Sequence, residues 1–232
     1  MSALARCGTV AILLAGGEGQ RSGGRKQFRR AGGHSILRHA AEGLLAVREV
    51  AGLVVVVPPD AVEDARRELE SLTRPIEVVA GGRTRNESSR KGLAALPARC
   101  RWVLIHDAAR PFASPSLIRR VLTAARADGA AICAVQVSDS TVELGPDGSL
   151  RRYLQRDRLA AVQTPQAFSR ERIEAAFART RRTDFTDDAS AMLHAGKSVA
   201  VVAGEDTNIK ITTPEELSRA LRDLRQTGPK RG

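Results

Sequence analysis

The chain is poor in cysteine, lysine and aromatic side chains, and each shortage narrows what it can be. Its three cysteines, Cys7, Cys100 and Cys133, are far apart and odd in number, which argues against a disulfide framework and fits a reducing compartment. Only five of the 37 basic residues are lysine. The formal net charge of +11 is therefore mostly arginine spread along the chain, and the 3% of aromatic residues leaves few platforms for stacking single-stranded bases. A nucleic-acid partner, which such a charge alone would invite, is not expected. Solvated arginines on helix faces and attraction to small polyanionic substrates account for the charge instead. The four histidines offer no metal-type spacing: His34 and His39, five apart on an expected helix, do not share a face. No run approaches the ~18 apolar residues of a membrane span, so no membrane partner is expected. The opening MSALARCGTVAILLA has a short apolar stretch after an arginine. That stretch runs into a glycine-rich loop that makes sense only if retained, so it reads as a first strand and the expected location is cytoplasmic.

What is present is an alternation. A chain of 232 residues suits one domain, 1–232, with a sizeable core. Short apolar runs at Thr9–Ala15, Leu53–Val57, Ile76–Ala80, Trp102–Ile105, Ala131–Val137 and Ser198–Ala203 read as buried strands. Helical patterns at Ser35–Val47, Ala61–Leu72, Asn86–Leu96 and Pro115–Ala127 separate them. Near-continuous apolar strands alternating with helices predict an α/β fold with a mostly parallel sheet covered on both faces. A final helix opens on Thr213-Pro214-Glu215-Glu216, a capping box with proline at its first position. Residues 226–232 read as a flexible basic tail. One segment breaks the rhythm: Ser140–Gln155, within an arm at 138–157, has two polar-alternating runs around Gly-Pro-Asp-Gly, a hairpin signal. It is either a solvated flap or a piece that packs on a second subunit.

In open α/β sheets, ligands bind outside the carboxyl ends of the strands. After the first strand comes Ala15-Gly16-Gly17-Glu18-Gly19, then Arg21 and Lys26; after the third comes Gly81-Gly82-Arg83-Thr84-Arg85, leading to Ser88; after the fourth comes His106-Asp107-Ala108-Ala109-Arg110-Pro111. Thr164-Pro165-Gln166, Thr186-Asp187-Asp188 and Asn208-Ile209-Lys210 follow later. The first loop is not a Walker loop, because no Gly-Lys-Ser/Thr follows, and Ser22 stands where a dinucleotide fingerprint needs glycine. Glycines let backbone N–H groups approach phosphates, Arg21 and Lys26 supply positive charge, and Asp107 at a strand end suits Mg²⁺. Taken singly, each has a plainer explanation: a tight turn, a cap, a surface lysine. Together they fall at one end of the expected sheet.

The segments LLAGGEGQR…KQF, GGRTRNESSRKGL, WVLIHDAARPF, QTPQAF, TDDASAM and NIKITTPEEL, in this order, resemble the 2-C-methyl-D-erythritol 4-phosphate cytidylyltransferases over about residues 9 to 220. The resemblance implies a Rossmann-like three-layer nucleotidyltransferase fold with a protruding β-hairpin dimer arm. It implies transfer of CMP from CTP to methylerythritol 4-phosphate with Mg²⁺, releasing pyrophosphate. Carried over by motif, Arg21 and Lys26 stabilise the transition state, while Arg156 and Lys210 position the acceptor phosphate. Ala15, Gly16, Gly17, Gly19, Gly82, Ser88 and Ala108 surround CTP. Asp107, Arg110, Thr164 and Thr186 line the phosphate-sugar site, with Asp107 on the metal. The hairpin arm would clasp a second subunit as a homodimer and deliver Arg156 across the interface. The sequence departs from the family where four residues separate Arg21 from Lys26, with Arg25 in a proline position, and where Val142 stands in place of a lysine. Ribitol 5-phosphate cytidylyltransferase, which differs in its acceptor, is the neighbouring alternative, and a nucleotide-binding regulator without turnover is a further one.

Overall fold

The structure, a computed structural model, describes residues 8–16, 26–180, 182 and 184–227. In chain order these form β1 (Thr9–Leu14), a small hairpin of β2 (Arg30–Ala31) and β3 (His34–Ser35), α1 (Ile36–Leu45), β4 (Leu53–Val57), α2 (Val62–Leu69), β5 (Ile76–Ala80), α3 (Arg85–Ala94), β6 (Trp102–Asp107), α4 (Pro115–Asp128) and β7 (Ala130–Gln136). There follow β8 (Val142–Leu144), β9 (Leu150–Tyr153), β10 (Ala160–Ser169), α5 (Arg170–Ala178), α6 (Asp188–His194), β11 (Ala200–Ala203) and α7 (Pro214–Thr227). Helix α7 thus extends through residues 226 and 227, where the sequence suggested a tail.

Seven strands make the central sheet in the order β11-β7-β10-β6-β1-β4-β5. The apolar runs form its parallel frame, with Leu14 of β1 level with Val56 of β4 and Asp107 of β6. The sheet is mixed rather than wholly parallel. Strand β10, which no apolar run announced, inserts antiparallel between β6 and β7. Successive strand residues point to opposite faces, and both faces are apolar. From β1 and the residue that follows it, Ala11, Leu13 and Ala15 pack with α1, α2 and α4 on one side. Val10, Ile12 and Leu14 pack with α3, α5 and α6 on the other. Helix α7 closes a third cluster, laying Leu217, Ala220 and Leu224 over Ala31, Ile36 and Ile211.

Helix starts follow local capping chemistry. Ser35, Thr84 and Ser114 accept the backbone N–H of Arg38, Glu87 and Leu117. The Thr213 hydroxyl accepts from Glu216 N at 3.2 Å while the Glu216 carboxylate accepts from Thr213 N at 2.9 Å, a reciprocal pair. Those Glu216 contacts, with the Thr212 hydroxyl first, hold its carboxyl below the usual glutamate range.

Between β7 and β10 the chain leaves the main sheet as the separate β8–β9 hairpin. Gly148 takes a positive φ of 80° at its turn, and Gly145 N donates to Ser149 O at 2.8 Å. Val142 is level with Tyr153, and Leu144 with Leu150. A register shift after Glu143 sets Arg151 and Arg152 together opposite that residue, so Leu150 and Tyr153, three apart, fall with Val142 and Leu144 on one face. Glu143, on the other face, pairs with Arg151 and Arg152. Leu144, Leu150 and Tyr153 are 59%, 55% and 69% exposed.

Candidate active site

Asp107 closes β6 at the carboxyl end of the parallel strands, and two cations hold it. Arg85 Nε donates to Asp107 Oδ1 at 3.1 Å, and Lys210 Nζ donates to Oδ2 at 2.8 Å. Burial would raise the Asp107 carboxyl, but Arg85 and then Lys210 outweigh it and keep the group well below the usual carboxylate range. Arg85 also donates through Nη1 to Asp188 Oδ2 at 2.8 Å. Burial disfavours its charge, yet Asp188 and then Asp107 raise its pKa above that of an ordinary arginine.

The backbone of Asp107 is fixed separately. Its N–H donates to Thr164 Oγ1 at 3.1 Å, and that oxygen lies 3.0 Å from His106 Nδ1. His106 Nε2 lies 2.9 Å from the Arg110 carbonyl, which can only accept, so Nε2 carries the proton and Nδ1 accepts from the Thr164 hydroxyl. Burial drives the His106 pKa down to about 4, consistent with a neutral ring. Thr164 reaches this position because β10 runs antiparallel beside β6, and its pairing with β7 on the other side shifts register between Gln163 and Gln166.

The stretch before α7 is tied to the same strand end. Arg110 Nη1 donates to Asn208 O at 2.7 Å, Ile211 N donates to Ala109 O at 2.8 Å, and Lys26 Nζ donates to the Ile211 carbonyl. Lys26 therefore meets the residue that follows Lys210. Burial lowers the Arg110 pKa, with Asp107 opposing the effect.

A second group forms where β1 and β5 end. Ser88 Oγ accepts from Gly82 N at 3.1 Å and donates to Thr84 O at 3.0 Å. A side chain at Gly82 would put its Cβ 2.2 Å from the Glu87 Cβ, and one at Gly16 would meet Ser88 Oγ at 3.4 Å. Ser88 thus ties the loop after β5 to the start of α3, close to Gly16 beyond β1, and glycine at 82 is what lets that loop fold over the start of α3. Ala15 accepts from Gln27 Nε2 at 2.9 Å, and Ala108 donates to Leu14 O at 2.9 Å, which fixes both strand ends.

Of the residues expected to act, the structure gathers Asp107, Arg110, Thr164, Lys210 and Lys26 at one strand end, with Ala15, Gly16, Gly82, Ser88 and Ala108 on its rim. Gly17, Gly19 and Arg21 lie outside the described residues. Arg156 stands apart from this group in the chain: it sits at the foot of the hairpin, donating to Ser138 O at 3.0 Å. Thr186 is exposed, just ahead of Asp187, the residue that caps α6. Sequence reading assigned no role to Arg85, Asp188, His106 or Asn208. Each stands inside a motif at a strand or loop end, and that position was the available signal. A cavity of about 580 Å³ among Cys100, Trp102, Arg170 and Glu174 opens at the opposite end of β6, where Arg170 is already satisfied by Glu174 and the Pro97 carbonyl.

The family model for IspD, 2-C-methyl-D-erythritol 4-phosphate cytidylyltransferase, matches residues 9–226. The chain belongs to this family. It is 40% identical over 215 residues to the 2-C-methyl-D-erythritol 4-phosphate cytidylyltransferase of Syntrophus aciditrophicus, covering 90% of this chain and 92% of that one. It is 44% identical over 216 residues to a bifunctional enzyme IspD/IspF from Anaeromyxobacter sp., with 91% of this chain and 56% of the relative covered. The chain thus spans little more than half the length of such bifunctional relatives. A crystal structure of 4-diphosphocytidyl-2C-methyl-D-erythritol synthase from Anaerococcus prevotii superposes with a TM-score of 0.84 at 30% identity, covering 97% of this chain and 99% of that one. The fold is accordingly the α/β Rossmann-like nucleotidyltransferase fold. No helix among the described residues is long and apolar enough to cross a membrane.

Proposed function

We propose that this chain transfers the cytidylyl group of CTP to 2-C-methyl-D-erythritol 4-phosphate. A phosphate oxygen of the acceptor attacks the α-phosphorus and forms the new P–O bond. The bond from the α-phosphorus to the bridging oxygen breaks, and pyrophosphate leaves with the electron pair. The attacking oxygen is already ionised near neutral pH, so no general base is needed. The work is to hold two polyanions together and neutralise developing charge. The observation that supports this reading is an ionised carboxylate, Asp107, held between Arg85 and Lys210 at the carboxyl end of the parallel strands. Lys26 and Lys210 face the phosphates as compact charges, joined by Arg21 from the first loop. Ala15, Gly16, Gly17, Gly19, Gly82, Ser88 and Ala108 surround CTP. Asp107, Arg110, Thr164 and Thr186 line the acceptor site.

The donor set suits Mg²⁺. No group of three or more His, Cys, Asp or Glu forms a metal cage among the described residues, and Mg²⁺ is commonly held by one or two carboxylates together with substrate phosphates. Asp107 keeps lone pairs beyond those engaged by Arg85 and Lys210, and it would hold the ion there. Bound Mg²⁺ supplies neutralisation of triphosphate and pyrophosphate charge.

The working form is a homodimer in which the apolar face of the β8–β9 hairpin lies on a second copy and carries Arg156 to the neighbouring acceptor phosphate. Pyrophosphate release from CTP and Mg²⁺, with methylerythritol 4-phosphate and ribitol 5-phosphate offered separately, tests the reading. Release with the first is expected. Release with ribitol phosphate alone moves the assignment to that acceptor, and silence with both leaves a nucleotide-binding regulator.

A further inference from the structure

Asp188 is fully buried in the first turn of α6. Its Oδ2 accepts from Arg85 Nη1 at 2.8 Å, and its Oδ1 has no hydrogen-bond partner among the described residues. A buried carboxylate held this sparingly is costly to keep, and its ion pair runs to Arg85. The other edge of that guanidinium faces Asp107, with Nε and Nη2 both 3.1 Å from Oδ1. Arg85 is thus a bridge with one foot on the site and one beneath it.

The buried foot is itself anchored. Gln166 of β10 donates to Asp187 Oδ2 at 2.9 Å and accepts from Ala189 N at 3.2 Å, gripping α6 on both sides of Asp188. Two residues earlier, Thr164 accepts the Asp107 N–H. One strand therefore sets the Asp107 backbone directly and its carboxylate through Gln166, α6, Asp188 and Arg85.

We infer that Asp188 is a positioning residue for the transfer reaction: by engaging one edge of Arg85 it leaves the guanidinium a single way to hold Asp107. An arginine without that tether would turn its planar fork onto a bound phosphate, which it matches bidentately. Asp107 would then lose its orientation. The inference rests on the cytidylyl-transfer reading for its kinetic consequence.

Asp188→Asn keeps the shape and removes the charge. Turnover should fall at least ~10-fold while KM for CTP stays within about twofold, the pattern of a contact that matters beyond ground-state binding. In an Arg85→Gln background the same change should alter turnover by less than about twofold, because the two residues act as one unit. Independently of activity, the Arg85 Nε–H resonance is expected to be sharp and slowly exchanging in the native chain and to broaden or vanish in Asp188→Asn. Near-native turnover in Asp188→Asn, losses that multiply in the double variant, or an unchanged Arg85 signal would each overturn the inference. If Asp188→Asn shows no cooperative melt, Arg85→Lys replaces it, keeping charge but unable to span both carboxylates; native turnover there overturns the inference, and a loss with unchanged KM supports it. If the native chain releases no pyrophosphate with either acceptor, the transfer reading fails, and the Arg85 resonance alone decides the positioning role.

Discussion

Lys210 Nζ lies 2.8 Å from Asp107 Oδ2, although 103 residues of chain separate them. The lysine side chain is 43% exposed and the aspartate 12%, so one end of the pair faces the solvent that substrate would displace. An ion pair this open contributes roughly 0–1 kcal/mol to stability. Its worth is expected in catalysis. Lys210→Met should leave the thermal midpoint within a few degrees of the native value, while pyrophosphate release falls by about 10² or more, as when a charge contact to the transition state is removed. A variant that melts early and turns over normally would reverse the assignment of Lys210.

Arg21 makes a cleaner kinetic test because it belongs to the loop after β1. Arg21→Ala is expected to lower turnover at least ~10²-fold, and Arg21→Lys to recover only part of it, since a point charge cannot replace a bidentate fork. Near-normal steady-state rates for Arg21→Ala would remove it from the mechanism.

The sheet's frame was legible because parallel strands buried on both faces must be apolar throughout, as Leu53–Val57 is. Strand β10 was not legible for the opposite reason. Three of its six buried residues, Gln163, Thr164 and Gln166, are polar, and their partners are Glu205, Asn208, His106 and Asp187. Those contacts bridge about 21 to 58 residues of chain, so no local pattern announces them. Helix α3 was readable as a helical pattern at 86–96, but the burial of Asn86, Ser88 and Ser89 in it was not. The site followed suit. Asp107 and Lys210, both named from their motifs, meet in the structure, while Arg85 and Asp188 become neighbours only when α3 and α6 come together. Burial of polar groups pays off through distant partners, and distance is what a linear reading lacks.

His106 gives a pH dependence with a definite sign. Its ring is neutral in the fold, with a pKa of about 4 against an ordinary 6.5. Above pH 6.5 both folded and unfolded chains are neutral there, and the full stability is present. As pH falls from 6.5 toward 4 the unfolded chain binds the proton first, and stability drops by up to about 3 kcal/mol. Asp107 acts in a lower window, below the ordinary carboxylate range, because its folded pKa is depressed. Urea unfolding of the native chain and of His106→Gln between pH 7.5 and 4.5 separates the two. The native curve should fall with acid in this range, and the variant should be less stable at pH 7.5 but flatter. Parallel curves would show that His106 is not the titrating group.

The hairpin carries the last prediction. Its apolar face of Val142, Leu144, Leu150 and Tyr153 has three of its four side chains more than half exposed, while its charged face satisfies itself through Glu143, Arg151 and Arg152. A two-stranded hairpin alone is marginal in water, so this division points to a partner on the apolar side. Light scattering should report twice the 24.9 kDa chain mass for the native protein. It should report a single chain after deletion of 140–155 or after the joint change Leu144→Ser, Leu150→Ser and Tyr153→Ser. Activity should fall with the dimer, because Arg156 then has no neighbouring site to enter. Mixing separates the two effects: an Arg156→Ala chain combined with a Lys210→Met chain should regain part of the lost turnover, since a mixed dimer holds one site with both residues native. A native chain that scatters as a monomer at full activity, or mixtures that never recover, would place Arg156 outside the neighbour's site.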